Sequence, residues 1–273
     1  MRNLIRAEFY KLRISKLFRN FLVWSFLTAL MSVIIIRMMG TFISEASQEM
    51  LDRMLSNGVY NFGVIQVNTL PEMLNMTSLT AISSAFKNYF AIMLSAVFIS
   101  MYLKEEHENG GIRNFVMKGF NKNQVLLSKY LATMAALALF LCAYFLGVIV
   151  MSMGMFGSLS LDSQFLIELA LFFAVQVFLV ASFASICFAT AIFTQKATVV
   201  IINASMVLLG DMAINMMGLL TKGQLDLSKF WVLSYVSKLT PDSGYSLALV
   251  VGLVTVLISL VVANGRLKRM EFN

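Results

Sequence analysis

Apolar residues run without a charge from Phe21 to Ile36 (FLVWSFLTALMSVIII), and runs of the same kind recur to the end of the chain. A helix crosses the hydrocarbon of a bilayer with about 20 mostly apolar residues. That spacing predicts spans over Phe21–Phe42, Ser83–Leu103, Lys129–Met153, Phe165–Phe193, Ala197–Met217 and Tyr245–Ala263. A membrane β-barrel would alternate apolar and polar positions with period two, whereas Ala132–Val150 is apolar all round. The expected fold is all-α: one polytopic membrane domain over residues 1–273, with about six transmembrane helices.

The polar intervals predict the rest of the layout. Within the 1–19 segment, Ile5, Phe9 and Leu12 repeat at helical spacing, with Arg2, Arg6 and Arg13 on an adjoining face. This reads as an amphipathic helix lying in the membrane interface; a plain basic flank without fixed structure is the alternative. Residues 41–80 form a long external connection, with a short amphipathic helix expected around Met50–Leu55 and a break at Pro71. Residues 218–244 carry Leu225, Phe230, Trp231, Leu233 and Val236, which suits an interfacial or re-entrant helical hairpin.

Charge sets the orientation. Lys and Arg concentrate on the cytoplasmic side of membrane proteins. Here they collect in the N-terminal segment, in the second–third connection (Lys104, Arg113, Lys118, Lys122, Lys129), at Lys196 and in the tail (Arg266, Lys268, Arg269). Both termini are therefore expected in the cytoplasm. The net charge of +7 reflects this bias and gives no reason to invoke nucleic acid. Composition agrees: with 59% hydrophobic and 13% charged residues, these runs exceed what a water-soluble core could bury. The first run is flanked by charge and lacks an A-x-A-like site, so it reads as a retained span rather than a signal peptide. Cys142 and Cys187 fall within expected spans and imply neither a disulfide framework nor a metal site.

The most informative polar piece is the 104–128 segment, KEEHENGGIRNFVMKGFNKNQVLLS. Glu105, Glu106 and Glu108 lead into Gly110-Gly111, where glycine permits a sharp turn. Ile112, Phe115 and Val116 follow at helical spacing with Arg113, and a second turn is expected at Gly119–Asn121 between Lys118 and Lys122. A charged, partly apolar cytoplasmic helix reads as a docking surface; a solvated loop is the alternative.

Catalytic chemistry is missing. There is no G-x-x-x-x-G-K-[ST] phosphate loop. His107 is the only histidine, which excludes an intramembrane Ser–His pair and a multi-histidine metal site. The remaining candidates are polar groups within spans. Asp211 and Asn215 lie one turn apart, Asn203 lies two turns earlier, and Lys87 and Arg37 sit near outer ends. Asp211 is expected to face a cavity or a partner such as Lys87, as a packing contact or a substrate contact. Ala170, Ala174, Ala181, Ser185 and Ala189 form a small-residue stripe suited to close helix packing.

The whole arrangement resembles the permease subunits of bacterial ABC type-2 transporters, in the peptide and antibiotic export or immunity branch. The resemblance rests on the basic N-terminal helix before six spans and on the second–third connection. There Glu105, Glu106, Gly110, Gly111, Ile112, Arg113, Asn114, Lys118, Gly119, Asn121, Lys122, Ser128 and Lys129 follow the pattern of that family's coupling helix. The long first external connection departs from the most compact members. The resemblance implies a multi-pass protein of the bacterial plasma membrane that exports a peptide, antibiotic or other amphipathic substrate. It implies two cytoplasmic ATPase subunits that hold the ATP and Mg, so that this chain carries no cofactor. It also implies a second permease, identical or homologous. Glu105, Glu106, Ile112, Arg113, Phe115 and Lys118 become the expected ATPase-coupling residues. An ion-driven secondary transporter and a non-transporting scaffold or sensor subunit are the rival readings.

Overall fold

The computed structural model describes residues 2–45, 61–62, 65–66, 78–87, 89–157, 163–220, 227–238 and 245–269, and these are almost entirely helical. Helix α1 (Arg2–Ile14) breaks at Ser15 before α2 (Lys16–Glu45). A minimal antiparallel pair, β1 (Asn61–Phe62) and β2 (Ile65–Gln66), comes next. Then follow α3 (Ser78–Lys87), α4 (Tyr89–Glu108), α5 (Gly111–Met117), α6 (Lys122–Phe156), α7 (Ser163–Thr194) and α8 (Ala197–Leu220). A 3-10 turn (Leu227–Phe230), α9 (Val232–Lys238) and α10 (Ser246–Arg269) complete the chain. The helix expected around Met50–Leu55 lies outside the described residues.

Among the described residues four segments are long and apolar enough to cross a membrane: Lys16–Met38, Lys122–Phe156, Leu166–Thr194 and Ser246–Arg269. The expected second span falls on α4, which spends its last turns on the charged string Lys104–Glu108. The expected fifth falls on α8, whose described apolar stretch is Ala197–Asp211.

Specific contacts fix the helix directions. Ser25 and Arg37 of α2 bond the carbonyls of Phe140 and Met155 in α6, so these two helices run parallel. α4 opposes them: Glu106 meets Lys129 while Phe98, two turns earlier, packs 4.5 Å from Phe140. α7 opposes α6, pairing Ser185 with Tyr130 and Phe173 with Phe145. A tight connection at Gln195 (φ 56°) reverses the chain into α8, where Asn203 bonds Thr190. α10 runs parallel to α7, with Gly252 against Phe178 and Arg266 against Phe193. Each successive long helix thus reverses direction. The basic segments collect at one end of the bundle, where Lys122 Nζ donates to the Lys268 carbonyl at 3.3 Å.

Close approach depends on missing side chains. A Cβ on Gly147 would stand 2.8 Å from Ala29 Cβ, and one on Gly252 would stand 2.7 Å from the Phe178 ring. The small-residue stripe on α7 is used in part: Ser185 and Ala189 are buried, whereas Ala170 and Ala174 face outward. Several polar groups inside the bundle find partners, as an apolar surrounding demands. Tyr144, fully buried, donates to the Ala85 carbonyl at 2.8 Å, with Ser32 Oγ 3.0 Å from the same hydroxyl. In the 218–244 connection the described residues form the 3-10 turn and α9. Val232, Leu233 and Val236 are buried there, and Gln176 of α7 donates to the Val236 carbonyl at 3.2 Å.

Candidate functional site

The basic end of the bundle is organised around four charges. α1 buries Leu4, Glu8 and Leu12, spaced four residues apart and therefore on one helix face. Of the apolar set Ile5, Phe9 and Leu12 expected to face the interface, Leu12 is buried in the bundle, Ile5 is half-buried and Phe9 is exposed. Glu8 is the one acid of α1, and at 0% exposure it cannot remain charged without partners. Lys129, near the start of α6 and 1% exposed, supplies one: its Nζ donates to Glu8 Oε1 at 3.0 Å. Tyr102 of α4 donates to Glu8 Oε2 at 3.1 Å. Lys129 also donates to Glu106 Oε2, and Lys11 donates to Glu106 Oε1 at 3.3 Å. Two carboxylates and two ammoniums balance. They join α1, the end of α4 and the start of α6.

The α4–α5 turn completes the cluster. Gly110 adopts φ 63°, and its carbonyl accepts from Asn114 N at 2.8 Å, as the expected sharp turn requires. Gly111 is needed for a different reason, because a Cβ there would collide with the Glu106 carboxylate. The Phe115 ring lies 5.0 Å from Lys11 Nζ and 5.7 Å from Lys129 Nζ, a cation–π arrangement with both lysines. The second turn also forms where expected. Gly119 takes φ 87°, and Asn121 caps α6 by accepting from Asn123 N at 3.1 Å.

Electrostatics follow from this geometry. Burial pushes the Glu106 carboxyl up, but the charges and hydrogen bonds of Lys129 and Lys11 outweigh it and hold the group below its ordinary 4.5. Burial, reinforced by the Lys129 charge, holds His107 below 6.5 against the opposing pull of Glu106. Among the described residues His107 Nε2 finds no hydrogen-bond partner.

The expected coupling residues divide into two sets. Glu106 and Ile112 are buried within this chain, and Phe115 and Val116 are half-buried. The apolar set Ile112, Phe115 and Val116 therefore anchors α5 to its own bundle instead of standing free for a partner's groove. The physical reason is proximity: α1 and α6 already offer an apolar, charge-lined seat. Glu105, Arg113, Asn114, Met117 and Lys118 remain exposed, and the exposed Lys104–Glu108 pair at 3.6 Å borders them.

The intramembrane candidates lie elsewhere. Asp211 is fully buried and accepts from Tyr89 Oη at 2.7 Å and from Ser234 Oγ at 2.6 Å, tying α8 to α4 and α9. Lys87 ends α3, and Asn215 lies in α8; their side chains are outside what is described. Among the described residues no group of three or more His, Cys, Asp or Glu side chains could hold a metal.

Glu8, Lys11 and Tyr102 were not singled out by sequence reasoning, and Lys129 entered only through the coupling-helix resemblance and its positive charge. The available signal was a lone acid between Leu4 and Leu12 in an otherwise basic helix.

The class defined by this fold is an all-helical protein with four helices fit to cross a membrane and a buried ion cluster at its basic end. No family model matches the chain, and no curated protein matches it.

Proposed function

We propose that this chain is the membrane-spanning permease subunit of an ATP-driven exporter of the ABC type-2 kind. One observation carries the reading. The segment between α4 and α6 is a built helix, held by the Glu8–Lys129–Glu106–Lys11 cluster and presenting an exposed polar face. A connection that only returned the chain to the bilayer has no use for four charges placed this way. Buried ion pairs contribute little net stability, and their best-attested use is to fix one arrangement.

In this reading α5 receives the motion of a separate cytoplasmic ATPase, present in two copies, through Glu105, Arg113 and Lys118. The cluster passes that motion to α1 and to the ends of α4 and α6. Six crossings, with both termini and α5 in the cytoplasm, are supported by the alternating helix directions and by the gathering of Lys and Arg at one end. A second permease completes the pathway for a peptide or other amphipathic substrate across a bacterial plasma membrane. Two measurements test the proposal. A cysteine at Asn109, in a chain lacking Cys142 and Cys187, should be shielded from membrane-impermeant reagents added outside. Purification of the native complex should yield a nucleotide-hydrolysing subunit. External labelling at Asn109 would overturn the topology, and a complex without any ATPase would favour the scaffold reading.

A further inference from the structure

A cleft of about 710 Å³ opens between α1 and the α4–α5 turn, beside the charge cluster. Its volume is in the range of small-molecule sites, roughly 300–1,000 Å³. Its wall combines Lys16, Lys118 and Glu105 with Tyr10, Ile14 and Leu17. Lys11 and Glu106 also reach it, but they are committed to each other and to the buried pairs. Lys16, Lys118 and Glu105 are exposed and form no ion pair among the described residues. The free charges lining the cleft are thus two cations and one anion above an apolar wall.

We propose that this cleft binds the headgroup of a glycerophospholipid carrying a phosphate and a primary ammonium, of the phosphatidylethanolamine type. The phosphate takes Lys16 and Lys118, the ammonium takes Glu105, and the acyl chains leave along Ile14 and Leu17. Position favours a lipid over a protein side chain. Leu17 lies at the start of the candidate span Lys16–Met38, so the cleft lies where headgroups meet hydrocarbon. Exposed Tyr10 and Ile14 beside lysines have the composition of a membrane interface. A bound headgroup would bridge the start of α2 to the ends of α4 and α5, beside the buried cluster that joins α1, α4 and α6. The inference does not rest on the assignment of an ATPase partner, because it is measured on this chain alone, before any partner occupies the exposed Glu105 and Lys118.

The test is a lipid titration of the detergent-solubilised full chain followed by native mass spectrometry. It uses phosphatidylethanolamine and phosphatidylglycerol of identical acyl chains. The ethanolamine lipid should bind more tightly. Each juxtamembrane lysine contributes roughly five-fold, so Lys16→Gln with Lys118→Gln should weaken binding roughly 25-fold. The arginine pair Lys16→Arg and Lys118→Arg should retain it. Glu105→Gln should abolish the preference for ethanolamine over glycerol, while Lys268→Gln, at the same end but outside the cleft, should change nothing. Equal affinity of the double glutamine variant and the unmodified chain would overturn the site. An unchanged headgroup preference in Glu105→Gln would overturn the ammonium assignment. Competition by O-phosphoethanolamine at the concentration of the lipid would overturn the lipid as occupant.

Discussion

Replacing Lys129 by Met removes the cation that hydrogen-bonds both buried carboxylates, while the methionine nearly fills its volume. Glu8 then keeps the Tyr102 hydroxyl at 3.1 Å and Lys11 at 3.9 Å, and Glu106 keeps Lys11 at 3.3 Å. One ammonium faces two carboxylates. Breaking a buried pair from one side costs about 3–5 kcal/mol, because the orphaned charge stays buried. The protein can limit the loss by protonating one carboxyl. For a group of ordinary value 4.5, doing so at pH 7 costs about 3.4 kcal/mol, at 1.36 kcal/mol per pH unit. The two routes agree on a loss of about 3 kcal/mol. The assay is apparent thermal stability of the full chain in detergent, for Lys129→Met, Glu8→Gln and the double variant. Both single variants should be destabilised. The double variant, which removes one charge of each sign, should recover part of the loss, with a coupling energy of about 1–3 kcal/mol. Single variants as stable as the unmodified chain, or strictly additive losses, would refute the charge-pair reasoning.

Three further outcomes follow from the same structure. Gly111→Ala, whose backbone angle alanine tolerates, should still destabilise, because its methyl displaces the Glu106 carboxylate from Lys129; thermal shift should place it with Lys129→Met. Stability should be flat above pH 6.5 and fall below it, since His107, depressed in the fold, is protonated more readily in the unfolded chain. Below pH 4.5 it should fall further as Glu106, also depressed, loses its charge; His107→Gln should remove only the first descent. Asp211→Leu should cost about 1–3 kcal/mol for each buried hydroxyl left without its acceptor, and Asp211→Asn, which keeps one acceptor, should cost less in the same assay.

The helices were legible in the sequence because apolar runs of bilayer length have few other uses, and the turns at Gly110 and Gly119–Asn121 were legible because glycine and a capping Asn act locally. The charge cluster was not. Glu8 and Lys129 are separated by 121 positions, and periodicity within one segment carries nothing about a partner that distant. Lys129 counted as a positive charge flanking a span and as the last residue of a family-like pattern, with no sign that it is among the most deeply buried side chains. Ile112 and Phe115 were correctly read as one face of a short helix. What lay against that face depended on how α1 folds back, which no local pattern encodes. Asp211 was expected to need a polar partner, and the hydroxyls of Tyr89 and Ser234 both donate to it.

The central claim is that α5 transmits work from a separate ATPase, and the most direct measurement is ATP hydrolysis by the reconstituted complex. Arg113 is exposed on α5 and takes no part in the buried cluster, so Arg113→Glu should leave membrane insertion and thermal stability unchanged. Reversing a charge at a complementary interface opposes the partner's field; permease-stimulated hydrolysis should therefore fall by about tenfold or more. Stimulation at the unmodified level in Arg113→Glu, with the ATPase still bound, would contradict the account.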